Sequence, residues 1–326
     1  MRLVRLGAVG AATSQAVYHA LARRMTPQSQ DTVVLCSPAQ PYLCLGYHQT
    51  YGQVIHRAEA ARRGLPVIRR RVGGGLTYLD SQQLFYQFVF HHSRLPPVPK
   101  RLYARLLAAP VAALNQLGCP ATLEGMNEIE VNHRRIAGIG GGRVEEASVV
   151  VGNILLDFPA DIMAALWPCP FPAFARLAAQ ALDKRVTTLR KEGLQASMEK
   201  VEATLAASLA PALGRPVAPG ELTPEEWETV REEEQALTDP EFLELHGEGE
   251  TPPLTELKIS ARAYIHARQI PAPGKDLWAA LLVKEGVIEQ IEWEPLEEKK
   301  KGEKADLAAL TQAWLGRPLV AWKKEG

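Results

Sequence analysis

The sequence has no excess of either charge, no C-x-x-C pair and no apolar run long enough to span a bilayer, and each absence removes a class of function. Thirty-seven basic and 37 acidic side chains cancel to a formal net charge of +0, so no global field draws the chain toward nucleic acid or an anionic membrane. Any polyanion site must be local. Apolar stretches fall short of the ~18 to 20 residues that a membrane helix needs, and the N-terminus lacks a charged, apolar and small-residue signal layout. A cytoplasmic protein without a membrane partner is therefore expected. Cys36, Cys44, Cys119 and Cys169 are scattered, with no histidine array near them, which speaks against a zinc site or a disulfide framework. They read as buried thiols in a reducing compartment. There is no internal repeat, and the low-complexity stretch 297–304 reads as a charged turn.

A chain of 326 residues is long enough for two domains of ordinary size. Residues 10–25 carry Ala, Val and Leu at helical spacing and end in Arg23-Arg24, which suits the negative end of a helix dipole. Segments 32–36, 42–45, 66–70, 76–79 and 84–90 are short, rich in β-branched or aromatic residues and bounded by turn residues, the pattern of strands. After Pro96, Pro97 and Pro99 a helix is expected over 100–117, stopped by Gly118. Strands resume at 128–136 and 149–156, separated by Gly138 and the run Gly140-Gly141-Gly142. An Ala/Leu-rich helical stretch covers 174–213, and Thr223 before Pro224 marks another helix start. The acidic run from Glu225 to Glu234 reads as a solvated helix face. Glycines and prolines at 246–253 read as a linker, followed by a hairpin over 277–283 and 287–293 and a closing helix over 305–315. The expectation is an α/β (α+β) chain with a mixed sheet and flanking helices in residues 1–247, and a small α/β unit in 254–326.

Two stretches could carry chemistry. In the first, Arg69, Arg70 and Arg71 precede Val72 and then Gly73, Gly74 and Gly75, before a strand containing Thr77, Tyr78, Leu79 and Asp80. Glycines let a ligand lie on the backbone and leave amide N–H groups free for anionic oxygens, and arginine adds a planar charged fork. The run is neither a Walker loop nor a dinucleotide fingerprint; read alone, it is equally a turn in which glycine supplies positive φ. In the second, Asn127 opens a strand that leads through Arg134 and Arg135 to Gly138, with Arg143 beyond. Side chains alternate along a strand, so at most one of Arg134 and Arg135 faces a given pocket. Basic groups at two glycine-rich turns suggest one shared anionic ligand; a hairpin edge guarded by charge is the alternative. Neither His48 nor the adjacent His91 and His92, which on a strand point apart, is assigned a role.

The order of these motifs resembles the lipoate-protein ligases, relatives of the biotin ligases and octanoyltransferases. The resemblance runs through Arg69 to Asp80, then Met126-Asn127-Glu128-Ile129-Glu130-Val131, then His133 to Ile139, then Val150-Val151-Gly152-Asn153-Ile154-Leu155. Tyr42 to Gln49, Lys184 and Gly193 to Ser197 are also similar to family segments. The resemblance implies a catalytic domain of the class II synthetase and biotin-ligase type, an accessory C-terminal domain, and a two-step reaction. Lipoate is activated by ATP with Mg²⁺ to lipoyl-AMP, and the lipoyl group passes to a lysine of a carrier domain. The implied carriers are acyltransferase subunits of 2-oxoacid dehydrogenases or a glycine-cleavage H-type protein, served by a monomer. By the same correspondence Arg135 is the catalytic cation, and Arg70, Val72, Gly73, Gly74, Gly75, Gly138 and Asn153 hold the acyl substrate. Thr77, Tyr78, Asp80 and Asn127 border the nucleotide, and no metal ligand is assigned.

Four places depart from the family pattern. The family's lysine falls on Arg135, its loop Ser or Thr on Val72, its loop histidine on Leu79, and its histidine pair on Val150-Val151. Arginine keeps the charge but not the point contact of an ammonium, and each lost histidine makes the cavity more apolar. Two other readings follow: a non-catalytic member that binds lipoate, another acyl ligand or a carrier, and an octanoyl or lipoyl transferase with Cys119 as nucleophile. For Cys119, after Leu117-Gly118, a buried structural role is the expected one.

Overall fold

The computed structural model describes residues 1–247, 254–260, 262–272, 275–294 and 306–321. The chain divides into two compact units, and the division is not a single cut in the sequence. Residues 1–51, 60–159 and 186–248 form one unit; 52–59, 160–185 and 249–326 form the other. From residue 248 onward the expected linker lies outside the described residues, as does the charged turn 297–304.

The larger unit is built on a six-stranded sheet in the order Ile139–Val144, Ala147–Leu155, Gln83–His91, Thr32–Pro38, Arg2–Val9, Ala218–Gly220. The first four strands pair antiparallel and the last two join in parallel. The sheet is therefore mixed, as expected. Alternation along the central strand explains the layering. Leu84, Tyr86, Phe88 and Phe90 face one core with helices Pro99–Gln116 and Met198–Leu213. Phe85 and Val89 face the other with helices Ala11–Arg23 and Pro224–Thr238. Period-two side chains thus feed two cores from one strand, and helices cover both faces. The second of those helices starts as its sequence dictates: Thr223 accepts from the Glu226 N–H, and the Glu226 carboxylate answers the Thr223 N–H at 2.8 Å.

Two smaller sheets flank this frame. One holds Val67–Arg69, Tyr42–Leu45 and Thr77–Leu79 in that order. The other holds Ala121–Glu124, Glu128–Val131 and Arg134–Ala137.

Several elements differ from the sequence reading. The single strand expected over 128–136 is a hairpin, because Asn132 and His133 take φ of 50° and 61° and turn the chain within two residues, as a primed turn requires. Asn tolerates that region through its short polar side chain. Gly140, Gly141 and Gly142 are not a turn but lie inside strand Ile139–Val144. Their lack of side chains is used by neighbours: a Cβ on Gly141 would stand 2.6 Å from the Tyr103 hydroxyl and from the Val149 carbonyl. The helical stretch 174–213 is two helices, Pro172–Arg185 and Met198–Leu213, and the strand Arg2–Val9 carries no expectation at all.

The smaller unit contains an antiparallel sheet, Glu256–Lys258, Ala263–Ala272, Lys275–Lys284 and Val287–Trp293 in sequence order, so the expected hairpin is its last two strands. Trp314 of helix Leu307–Trp314 and Leu319 pack on the core of Ala279, Leu281, Val283, Ile288 and Ile291. Among the described residues no helix is long and apolar enough to cross a membrane.

Candidate functional site

Of the three consecutive arginines, Arg69 and Arg70 hold backbone carbonyls and Arg71 holds side chains. Arg69 is fully buried and donates to the carbonyls of Gly46, Tyr47 and Gln49 at 3.1, 2.9 and 2.7 Å, and also to that of Leu243. Arg71 pairs with Glu233 at 3.3 Å and lies over the Phe242 ring. Arg70, only 7% exposed, reaches the Gly73 carbonyl with Nε and Nη2 at 3.2 and 3.0 Å. It also donates to Gly75 O at 2.8 Å and Cys44 O at 3.1 Å, with Cys44 Sγ at 3.6 Å. All five guanidinium N–H groups have a protein partner in this arrangement. Arg70 holds the glycine loop from beneath.

The loop needs its glycines for two different reasons. Gly74 sits at φ +106°, and a Cβ there would meet Arg70 Nη2 at 2.7 Å. Gly46, on the neighbouring turn, would drive a Cβ to 1.9 Å from the Gly74 carbonyl oxygen. Gly73 and Gly75 have open space where a side chain would stand, so their backbone can be approached by a ligand.

A chain of hydrogen bonds joins four of the expected residues. Gly138 N–H donates to Asn153 Oδ1 at 2.7 Å, and Asn153 N–H donates to the Gly138 carbonyl at 3.1 Å. Asn153 Nδ2 then donates to Gln83 Oε1 at 2.6 Å, and Gln83 Nε2 to the Tyr78 carbonyl at 3.1 Å and Asp80 Oδ1 at 3.4 Å. Gln83 is buried; one of two adjacent glutamines at a strand start, it gives no sequence signal of this bridging role. Gly140 lies against the Gly73 carbonyl, with a Cβ at 3.5 Å, so the glycine loop stands beside the start of the edge strand. Thr77 donates to Cys44 O at 3.3 Å, and Asn127 lies half-buried in the turn before Glu128. Burial pushes the Asp80 carboxyl up, against the lowering effect of the Gln82 N–H and Gln83.

Arg134 and Arg135 separate as strand alternation requires. Arg134 pairs with Glu192 at 2.7 Å, so its fork is engaged away from the loop. Arg135 is half-buried, and among the described residues its guanidinium reaches one carboxylate, Glu128, at 3.9 Å, beyond hydrogen-bond distance. Desolvation lowers its pKa and Glu128 raises it; guanidinium stays charged through any such shift. The Arg135 carbonyl is held by the Thr187 N–H at 2.9 Å, which fixes the strand.

Two of the departures from the family pattern, Val72 and Leu79, fall into one dry cluster with Val151 at its edge, whereas Val150 lies in the other core and Arg135 stands apart on strand Arg134–Ala137. Val72 and Leu79 are buried with Cys44, Ile68, Phe85 and Val149, and Val151 packs against them. Aliphatic groups at these places pack on one another and need no hydrogen-bond partner. The cysteines are poor nucleophiles. Burial pushes the Cys36 thiol up to about 12, raises that of Cys44, and carries Cys169 and Cys119 up to about 11, with Glu192 adding to the effect at Cys119.

In its layered mixed sheet and glycine loop the chain shares the fold of solved lipoate-protein ligases. A chain of the bi-partite lipoate protein ligase and E2 lipoyl domain system of Thermoplasma acidophilum superposes with a TM-score of 0.70 at 20% identity, over 75% of this chain and 96% of that one. Lipoate-protein ligase A bound with ATP gives 0.65 at 19%, over 75% and 98%. The chain belongs to the lipoyl protein ligase A/B catalytic domain family, whose model matches residues 11–210. It is 26% identical over 257 residues to an octanoyltransferase LipM of Kyrpidia tusciae, 71% of this chain and 93% of that protein. It is also 27% identical over 135 residues to the lipoate-protein ligase LplJ of Bacillus subtilis, 39% and 38% of the two chains. The family thus contains both ligases and octanoyltransferases.

Proposed function

We propose that the protein is an ATP-dependent lipoate-protein ligase, forming lipoyl-AMP and passing the lipoyl group to a lysine of a carrier domain. The observation that carries this reading is Arg135, a half-buried guanidinium with donors left over, on the strand that runs into Gly138. Joining a carboxylate to an α-phosphate brings two anions together, and a fixed cation with aligned amides lowers that barrier most where water is excluded. In this proposal Arg135 supplies the cation, and the amides of Gly73, Gly74 and Gly75, held by Arg70, supply donors for the lipoyl head. Gly138 and Asn153 continue the substrate side, while Val72 lies in the apolar layer beneath. Thr77, Tyr78, Asp80 and Asn127 border the nucleotide.

Mg²⁺ would enter with the phosphates. Magnesium is commonly bound through one or two carboxylates and substrate phosphates, and Asp80 offers a single carboxyl whose Oδ1 already accepts from Gln82 N–H at 3.0 Å. The solved relatives described with ATP and with an E2 lipoyl domain support a nucleotide and a lipoyl carrier as co-substrates here. The acyltransferase subunit of a 2-oxoacid dehydrogenase and a glycine-cleavage H-type protein are the carriers proposed.

Octanoyl transfer is the second reading, favoured by the LipM relatives. Against it, burial raises the Cys119 thiol, with Glu192 adding to the effect, and so disfavours the thiolate that would attack. Incubation with ATP, Mg²⁺, lipoate and apo carrier domain, followed by mass spectrometry, separates the readings. A lipoyl mass gain that requires ATP supports the ligase. Octanoyl gain from an acyl-carrier donor without ATP supports the transferase, and lipoate binding with no gain in either mixture supports a non-catalytic role.

A further inference from the structure

Strand Gln83–His91 ends at His91, and His92 opens a short 3₁₀ turn. Two imidazoles that would face apart on a continued strand therefore lie together, with centroids 4.6 Å apart and planes tilted by 33°. The sequence reading that they point apart is corrected by this early strand end. Glu146 joins them from the tight turn between Ile139–Val144 and Ala147–Leu155, since Ala147 pairs opposite His91.

The spacing is that of a metal coordination shell. Glu146 Oε2 stands 3.5 Å from His91 Nε2 and 3.3 Å from His92 Nδ1, and the cluster's three ligand atoms fall within 4.8 Å of one another. A tetrahedral ion with bonds of about 2.0 to 2.1 Å separates its ligands by about 3.3 to 3.4 Å. Moreover, the His91 side chain is only 5% exposed, and its Nε2 is buried with no hydrogen bond. Buried polar atoms without a partner are rare enough to need a reason. His91 Nδ1 lies 2.7 Å from Ser93 Oγ and accepts from the Ser93 N–H at 3.4 Å; an ion at Nε2 moves the ring proton to Nδ1, where Ser93 Oγ accepts it, the outer-shell arrangement typical of metal-binding histidines. His92 Nδ1 also touches the Glu146 carbonyl at 3.0 Å, but that carbonyl keeps the His92 N–H at 2.9 Å if the ring turns to a metal. Arg143 opposes a cation, with Nη2 3.6 Å from Glu146 Oε1 and 3.5 Å from His92 Nε2. It is 57% exposed and can swing into solvent.

We propose that His91, His92 and Glu146 bind one first-row divalent ion that favours nitrogen ligands, Zn²⁺ above all, with a fourth position left to water. The ion ties the turn before Ala147 to the end of the central strand. It sits at the opposite end of strand Ile139–Val144 from Gly140 and its loop, so it is separate from the acyl-head site proposed above.

The test uses the full chain, stripped of metal and free of nucleotide, titrated with Zn²⁺ by calorimetry and with Co²⁺ as an absorbing probe. One equivalent should bind, and Co²⁺ should give the visible spectrum of a four-coordinate site that Zn²⁺ bleaches. Glu146→Gln and His92→Ala alter exposed or half-exposed side chains, so both should fold, with unchanged circular dichroism. Each should weaken Zn²⁺ by more than about tenfold. Failure of the wild-type chain to take up either ion saturably, or equal uptake by wild type and both variants, overturns the site.

Discussion

Replacing Arg70 by methionine removes a buried fork while keeping much of its length, so the loop it supports should loosen without leaving a large void. Three carbonyls lose charged donors: Gly73 O, Gly75 O and Cys44 O. The glycine carbonyls lie where Gly75 is exposed and Gly73 half-exposed, so water can replace part of what they lose, and Cys44 O still accepts from Thr77 Oγ1 at 3.3 Å. A hydrogen bond to a charged group contributes about 1.5 to 3 kcal/mol; with such partial replacement the three together amount to about 2 to 4 kcal/mol. At roughly 2 to 4 °C per kcal/mol for a unit of this size, the melting temperature should fall by about 4 to 16 °C. The matched control is Arg135→Met, whose loose pairing with Glu128 at 3.9 Å is worth less than about 1 kcal/mol. Thermal unfolding followed by circular dichroism measures both. If Arg70→Met melts with wild type, or Arg135→Met falls as far, Arg70 is not the strut described.

Gly46→Ala should destabilise by about 1 to 3 kcal/mol through overpacking against the Gly74 carbonyl, while Gly73→Ala, which meets nothing within 4 Å, should stay within about 1 kcal/mol; urea unfolding compares them. His19 gives a pH signature. Burial, with Arg71 and Arg70 nearby, lowers its pKa to about 3, so the fold holds it neutral while the unfolded chain takes a proton below about 6.5. Its effect is nil above that pH and grows by up to about 1.4 kcal/mol per unit of acidification down to about 3. His19→Gln keeps an acceptor for the Arg71 N–H and should flatten melting temperature against pH between 7 and 4; parallel curves for the two proteins would refute this.

Much of the frame was legible because its signals are local. Aromatic and β-branched residues between turns mark the central strand, Thr223-Pro224 marks a helix start, and the Arg-Gly run marks a loop whose backbone approaches something closely. What stayed hidden depends on pairing across the chain. Nothing in Leu45-Gly46-Tyr47 shows that Gly46 abuts Gly74, and Gln83 links Asn153 to Asp80 only after strands far apart in sequence align. The roles of the arginines divide for the same reason: charge and spacing predict that they cluster, but not which of them is consumed by carbonyls. His91 and His92 converge because the strand ends at His91 and a 3₁₀ turn begins at His92.

Under the proposed function Arg135, and not its neighbour, meets the acyl head. Lipoate affinity of the wild type, Arg135→Ala and Arg134→Ala, measured by calorimetry, tests it most directly. Loss of a charged hydrogen bond of about 1.5 to 3 kcal/mol predicts weakening of about 10- to 150-fold for Arg135→Ala, with Arg134→Ala within about twofold of wild type because its fork is held by Glu192. Equal affinities for the two variants would contradict the assignment.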